Sequence, residues 1–156
     1  MHLVDLLAPD RVAVHRNGTA RLDKPGAIHH LSGMLAHGVG IAPKEVERIL
    51  LEREALQSTG IGEGVAIPHG ALTELEVQCG SVLLVPGGVP FDAIDGHDVT
   101  ILVAVIGPKR ASGEHLKTLA RVSRLLRSKE FRERLLTAQG GSDAYAMLVK
   151  EEGERR

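Results

Sequence analysis

Residues 99–106 read Val-Thr-Ile-Leu-Val-Ala-Val-Ile. All but Thr100 are apolar, and most are β-branched. A run without polar alternation suits a strand buried on both faces rather than one half-exposed to water. Such a strand needs a covering layer on each side, which helices provide in α/β proteins. Working outward, residues 81–85 form a second β-like stretch, and residues 11–14 alternate as a short first strand. Downstream, residues 114–127 carry Leu116, Leu119, Val122 and Leu126 at helical spacing. A further helix covers 129–138, Gly140-Gly141 breaks it, and Ser142 is suited to cap a last helix through Leu148. Upstream, Ala27, Ile28, Leu31, Met34 and Leu35 mark a helix over 25–37, with Pro25 in its first turn and Gly38 as its stop. A second helix starts at Pro43, with Val46, Ile49 and Leu50 as its apolar stripe. Residues 3–7 form a short helical turn, and Asn17-Gly18 signals a turn. Without an internal repeat or linker, these elements predict one α/β domain over 1–150 and a frayed charged tail over 151–156.

Composition removes several classes of function. The 156 residues include 19 basic and 20 acidic side chains, so no global field recruits nucleic acid or anionic lipid. Phe91, Phe131 and Tyr145 are the only aromatics. The core is therefore aliphatic, and the stacking platforms of a single-strand nucleic-acid binder are missing. The lone Cys79 excludes an internal disulfide and a cysteine-rich zinc site, and its apolar neighbours predict a small buried residue. No apolar run approaches the ~20 residues of a membrane span. The first residues have neither a basic n-region nor a long apolar h-region, so a cytoplasmic location is expected.

Eight histidines remain to be sorted. His2, His15, His29, His30, His37 and His97 are expected to be solvated or capping side chains. His30 and His37 are seven apart on a predicted helix, but no carboxylate pattern accompanies them, and zinc is discounted. His69 differs in its setting. It closes residues 59–70, Thr-Gly-Ile-Gly-Glu-Gly-Val-Ala-Ile-Pro-His-Gly. Glycines let main-chain N–H groups approach an anion closely, and Pro68 restricts the backbone before the imidazole. A histidine that is largely neutral near pH 7 offers a nitrogen lone pair as nucleophile. On pattern alone, a plain glycine-rich loop stands as the simpler alternative. Lys117, Arg121 and Arg124 form a basic stripe at i, i+4, i+7, read either as a solvated face or as a contact for an acidic partner.

Residues 53–70, from Arg53-Glu54 to His69-Gly70, resemble the signature of the fructose/mannitol/nitrogen-regulatory enzyme IIA domains of the bacterial phosphotransferase system. Residues 90–96, Pro-Phe-Asp-Ala-Ile-Asp-Gly, resemble that family's second marker. Residues 115–120, His-Leu-Lys-Thr-Leu-Ala, resemble its third. The three lie in family order, and the resemblance covers about residues 3–148.

The resemblance implies an α/β fold with a mixed, mostly parallel sheet sandwiched between helices. It implies a phosphocarrier in which His69 is phosphorylated on Nε2, His115 positions the phosphoryl group and Arg53, sixteen residues before His69, stabilises its charge. Thr59 and the backbone of Gly60, Gly62 and Gly64 are expected to add phosphate-binding donors. Gln57 replaces the small residue expected there. The implied donor is a histidine phosphocarrier (HPr or its nitrogen-branch relative). The implied acceptor is a IIB domain of a sugar permease, or instead a regulatory target protein. No cofactor, metal, nucleotide, nucleic acid or membrane insertion is expected. The absence of an attached permease segment favours the regulatory branch over transport. A domain that only binds partners would not need both histidines, and a hydrolase would need a G-x-S-x-G elbow or a metal cluster that the sequence lacks.

Overall fold

A computed structural model of the chain describes residues 2–16 and 21–155; the expected Asn17-Gly18 turn lies outside them. Six strands, β1 (Val12–Val14), β2 (Gly60–Gly62), β3 (Val65–Ala66), β4 (His69–Leu72), β5 (Cys79–Val89) and β6 (Val99–Pro108), form one sheet. Its order is β1-β5-β6-β3-β2, with β4 also paired to β6. Three pairings are parallel, β1–β5, β3–β6 and β4–β6, and two are antiparallel, β2–β3 and β5–β6. The sheet is thus mixed and mostly parallel, as expected.

The unbroken apolar run of β6 is explained by its two faces. Leu102, Ala104 and Ile106 join one core with α1 (Lys24–Val39) and α2 (Pro43–Leu56). Ile101, Val103 and Val105 join the other with α3 (Ser112–Leu125), α4 (Lys129–Leu135) and α5 (Gly141–Glu154). Period-two side-chain alternation therefore divides one strand between two apolar layers. Cys79 is buried, and burial raises its thiol pKa.

Several boundaries differ from the sequence reading. The first helix ends at Gly40, whose φ of 70° allows a left-handed cap, not at Gly38. Strand β5 continues through Pro86-Gly87-Gly88, where the register shifts and Gly88 takes φ 84°. The last helix is preceded by Gly140 rather than capped by Ser142. Gly141 is held by space: a Cβ there would collide with the Val12 carbonyl. The expected frayed tail is helical to Glu154 and packed. Glu152 is buried and accepts the amide N–H groups of Leu3 and Val4 at 2.7 and 2.9 Å. Those donors lie almost a full chain length away, so no local signal marked the segment as ordered.

Candidate phosphoryl-transfer site

The glycine-rich segment is largely sheet, not loop. Gly62, Glu63 and Gly64 take φ 97°, 59° and 76°, turning β2 into β3. Asp95 fastens this turn, accepting the Glu63 N–H at 3.0 Å and the His97 N–H at 3.1 Å. Ala93 packs beside Gly60, and the Ile94 N–H donates to the Gly60 carbonyl. The second sequence marker is therefore a clasp that holds the first in place.

Strands β3 and β4 follow the same edge of β6. Ala66 pairs with Leu102 and His69 with Val105, so the register runs unshifted across Ile67-Pro68. Pro68 has no N–H to give to a ladder, but its carbonyl accepts from Val105. His69 is therefore fixed in a strand that pairs with the central β6. Its Nδ1 lies 2.8 Å from the Ile67 carbonyl oxygen. A carbonyl only accepts, so Nδ1 carries the proton and Nε2 keeps the lone pair.

His115, in the first turns of α3, stands against His69 with ring centroids 5.6 Å apart and planes at 51°. Both His115 ring nitrogens are buried without a hydrogen-bond partner. Neither nitrogen is committed to the protein's own groups, so both are available to a ligand. Burial lowers the pKa of both imidazoles. At His69 the Ile67 carbonyl opposes burial, Arg53 adds to it and Glu54 opposes it again. At His115 the second cause is the field of His69. Both rings are thus biased towards the neutral form at pH 7.

Arg53, in the last turn of α2, donates from Nη1 to the Gln57 carbonyl at 2.9 Å. This is its one hydrogen bond among the described residues, and a cation there also suits the helix C-terminus. Arg53, His69, Thr59, Ile61, Leu119 and Ser123 are among the residues lining a hollow of about 320 Å³. The structure thus gathers Arg53, His69 and His115.

It does not gather the expected phosphate loop. Gly60, Gly62 and Gly64 are not lining residues of this hollow. The Gly60 N–H is taken by Ser58 Oγ, and the Gly64 carbonyl by Thr100 and Ile101. Thr59 lines the hollow, but its N–H and hydroxyl both donate to the buried Glu54 carboxylate, which also pairs with Lys24 at 2.9 Å. The glycines serve turning and close packing, and Thr59 serves a buried ion pair. Sequence reading missed this Lys24–Glu54–Thr59 network because it joins two helices and the residue before β2. It also missed the Ile67 carbonyl, since a main-chain acceptor leaves no mark in side-chain identity.

The family described as "Phosphoenolpyruvate-dependent sugar phosphotransferase system, EIIA 2" matches residues 10–151. The chain belongs to this type-2 enzyme IIA family. A nitrogen regulatory protein of Bradyrhizobium diazoefficiens is 33% identical over 151 residues, covering 96% of this chain and 95% of that protein. A fructose-specific EIIA component of Haloferax volcanii is 30% identical over 128 residues, 81% of this chain and 83% of that one. The crystal structure of nitrogen regulatory protein IIA-Ntr from Neisseria meningitidis superposes with a TM-score of 0.84 at 29% identity, covering 94% of this chain and 98% of that chain. Among the described residues of this type-2 IIA chain, no helix is long and apolar enough to cross a membrane.

Proposed function

We propose that this type-2 IIA protein carries a phosphoryl group on Nε2 of His69. The observation that carries this reading is the pairing of an imidazole whose Nδ1–H is committed to the Ile67 carbonyl with a second, unpartnered imidazole beside it. The Nε2 lone pair attacks the phosphorus of a donor phosphohistidine. A new N–P bond forms at His69 while the donor's N–P bond breaks, its electron pair returning to the donor imidazole. His69 loses no proton, because Nδ1–H keeps donating to the Ile67 carbonyl throughout. The loose transition state asks for alignment and charge stabilisation rather than covalent assistance. The cationic Arg53 suits the phosphoryl oxygens, and His115 as an N–H donor suits the same group.

The donor in this reading is an HPr-like phosphocarrier, charged from phosphoenolpyruvate through enzyme I. The role is regulatory, in the nitrogen branch, supported by the near full-length similarity to nitrogen regulatory proteins. The fructose-specific relative supports the second reading, delivery to a IIB domain.

The test is incubation with phosphoenolpyruvate, enzyme I and a histidine phosphocarrier, followed by mass spectrometry at neutral pH. The wild type gains one phosphoryl group, and His69→Ala and His69→Gln gain none. His115→Ala still folds but is labelled more slowly or loses its phosphoryl group sooner. Wild-type labelling of His69→Ala would defeat the site assignment. Onward transfer to a IIB domain would favour transport.

A further inference from the structure

Among the described residues, four buried side-chain nitrogen or oxygen atoms have no hydrogen-bond partner. Three of them, Gln78 Oε1 and both ring nitrogens of His115, belong to two side chains that meet beside Gly107. A Cβ on Gly107 would lie 3.1 Å from Gln78 Cγ, 3.9 Å from the Gln78 amide carbon and 3.2 Å from His115 Nδ1. The missing side chain is what lets the two approach.

The sheet explains the meeting. Cys79 pairs with Ile106 in the antiparallel β5–β6 ladder, and both face the core under α1 and α2. One residue further, the pleat turns Gln78 and Gly107 to the opposite face, the one covered by α3. His69 reaches that face from the other edge of β6, where it pairs with Val105. His115 therefore stands over β6 with His69 on one side and Gln78 on the other.

Burial favours the neutral His115 ring, which has a single N–H proton. Its place decides what the ring offers. Held on Nδ1, it would leave a lone pair at Nε2 to face negative phosphoryl oxygens. Held on Nε2, it makes that nitrogen a donor. At His69 the Ile67 carbonyl makes the choice; at His115 no main-chain group does. A primary amide beside Nδ1 supplies what is needed. Its two ends have the same shape, so a half-turn replaces Oε1 with the NH2 group.

We propose that Gln78 is a positioning residue: its amide donates to His115 Nδ1 and so holds the His115 proton on Nε2, where it serves the phosphoryl oxygens. The inference rests on the phosphocarrier reading and adds the residue that sets the second imidazole's tautomer. The two rings are then set in opposite senses, His69 as nucleophile by a carbonyl and His115 as donor by an amide N–H.

The test reads the ring nitrogens directly, by NMR of the unphosphorylated protein at pH 8, with Gln78→Glu and Gly107→Ala alongside. Wild-type His115 carries its proton on Nε2. A carboxylate only accepts, so in Gln78→Glu the proton moves to Nδ1. In Gly107→Ala the new methyl group parts the pair and the tautomers mix. Single-turnover phosphoryl uptake on His69 falls roughly fivefold in Gly107→Ala and roughly tenfold or more in Gln78→Glu. A wild-type His115 protonated on Nδ1 would overturn the proposal without any variant having to fold. So would the wild-type tautomer surviving in Gln78→Glu. The NMR needs no phosphoryl donor, so an unlabelled wild type with the expected ring protonation would instead defeat the phosphocarrier reading.

Discussion

Gly60→Ala separates packing from phosphate binding at the glycine-rich segment. Gly60 has no left-handed φ, so alanine meets no backbone strain there. A Cβ would lie 2.8 Å from Ala93 Cβ and 3.0 Å from Ala93 Cα. Ordinary van der Waals separation begins at 3.4 Å, so these atoms must retreat by 0.6 and 0.4 Å. Ala93 is buried and its neighbour Ile94 is bonded to the Gly60 carbonyl, so the clasp cannot swing away freely. Overpacking of this kind costs about 2 kcal/mol. For a chain of this length the melting temperature falls by roughly 4–8 °C. Ala93→Gly removes the nearer clash and leaves the one against its own main chain. The double variant therefore recovers part of the loss, with a coupling of about 1 kcal/mol in a double-mutant cycle. The assay is thermal and urea unfolding of the four proteins, alongside phosphoryl uptake well below the melting point, where Gly60→Ala keeps wild-type yield. Unchanged stability with lost uptake would refute the packing role and return Gly60 to the phosphate site.

Glu54→Leu leaves both Thr59 donors without their acceptor and Lys24 with only its longer contacts to the Phe91 carbonyl and Asp92; urea unfolding should show a loss of about 2–4 kcal/mol. Glu152→Ala frees the Leu3 and Val4 amides, costs about 1–3 kcal/mol, and should speed their hydrogen exchange well before that of β6. His30, His69 and His115 are each held below the ordinary value of 6.5 mainly by burial, so the unfolded chain binds protons that the native state refuses. Their contribution to stability is full above pH 6.5 and is lost as pH falls through the lowered native values. Unfolding midpoints measured from pH 8 to pH 5 should decline on the acid side, and a flat profile across that window would contradict it.

The two-faced strand was legible because burial on both sides erases polar alternation, and 99–106 shows that erasure plainly. Pro25 and Pro43 marked helix starts because a missing N–H costs nothing in a first turn. Residues 59–70 were legible as a site and misread as a structure. Their strands are two to four residues long and their glycines hide any apolar period, so nothing local distinguished sheet from loop. Arg53, His69 and His115 came from a resemblance; composition alone left His69 in an ordinary loop. What joins distant parts of the chain, such as Glu152 with Leu3 or Asp95 with Glu63, has no signature at either end.

His69, the proposed nucleophile, opens a strand whose neighbour, β6, is also paired with β3 and β5. Such a seat has no hinge. Each cycle of charging and discharging begins from the same geometry, so the protein's wear should be chemical rather than conformational. On warming, the capacity to accept a phosphoryl group should vanish together with the last protected amides, and not in an earlier, local melting.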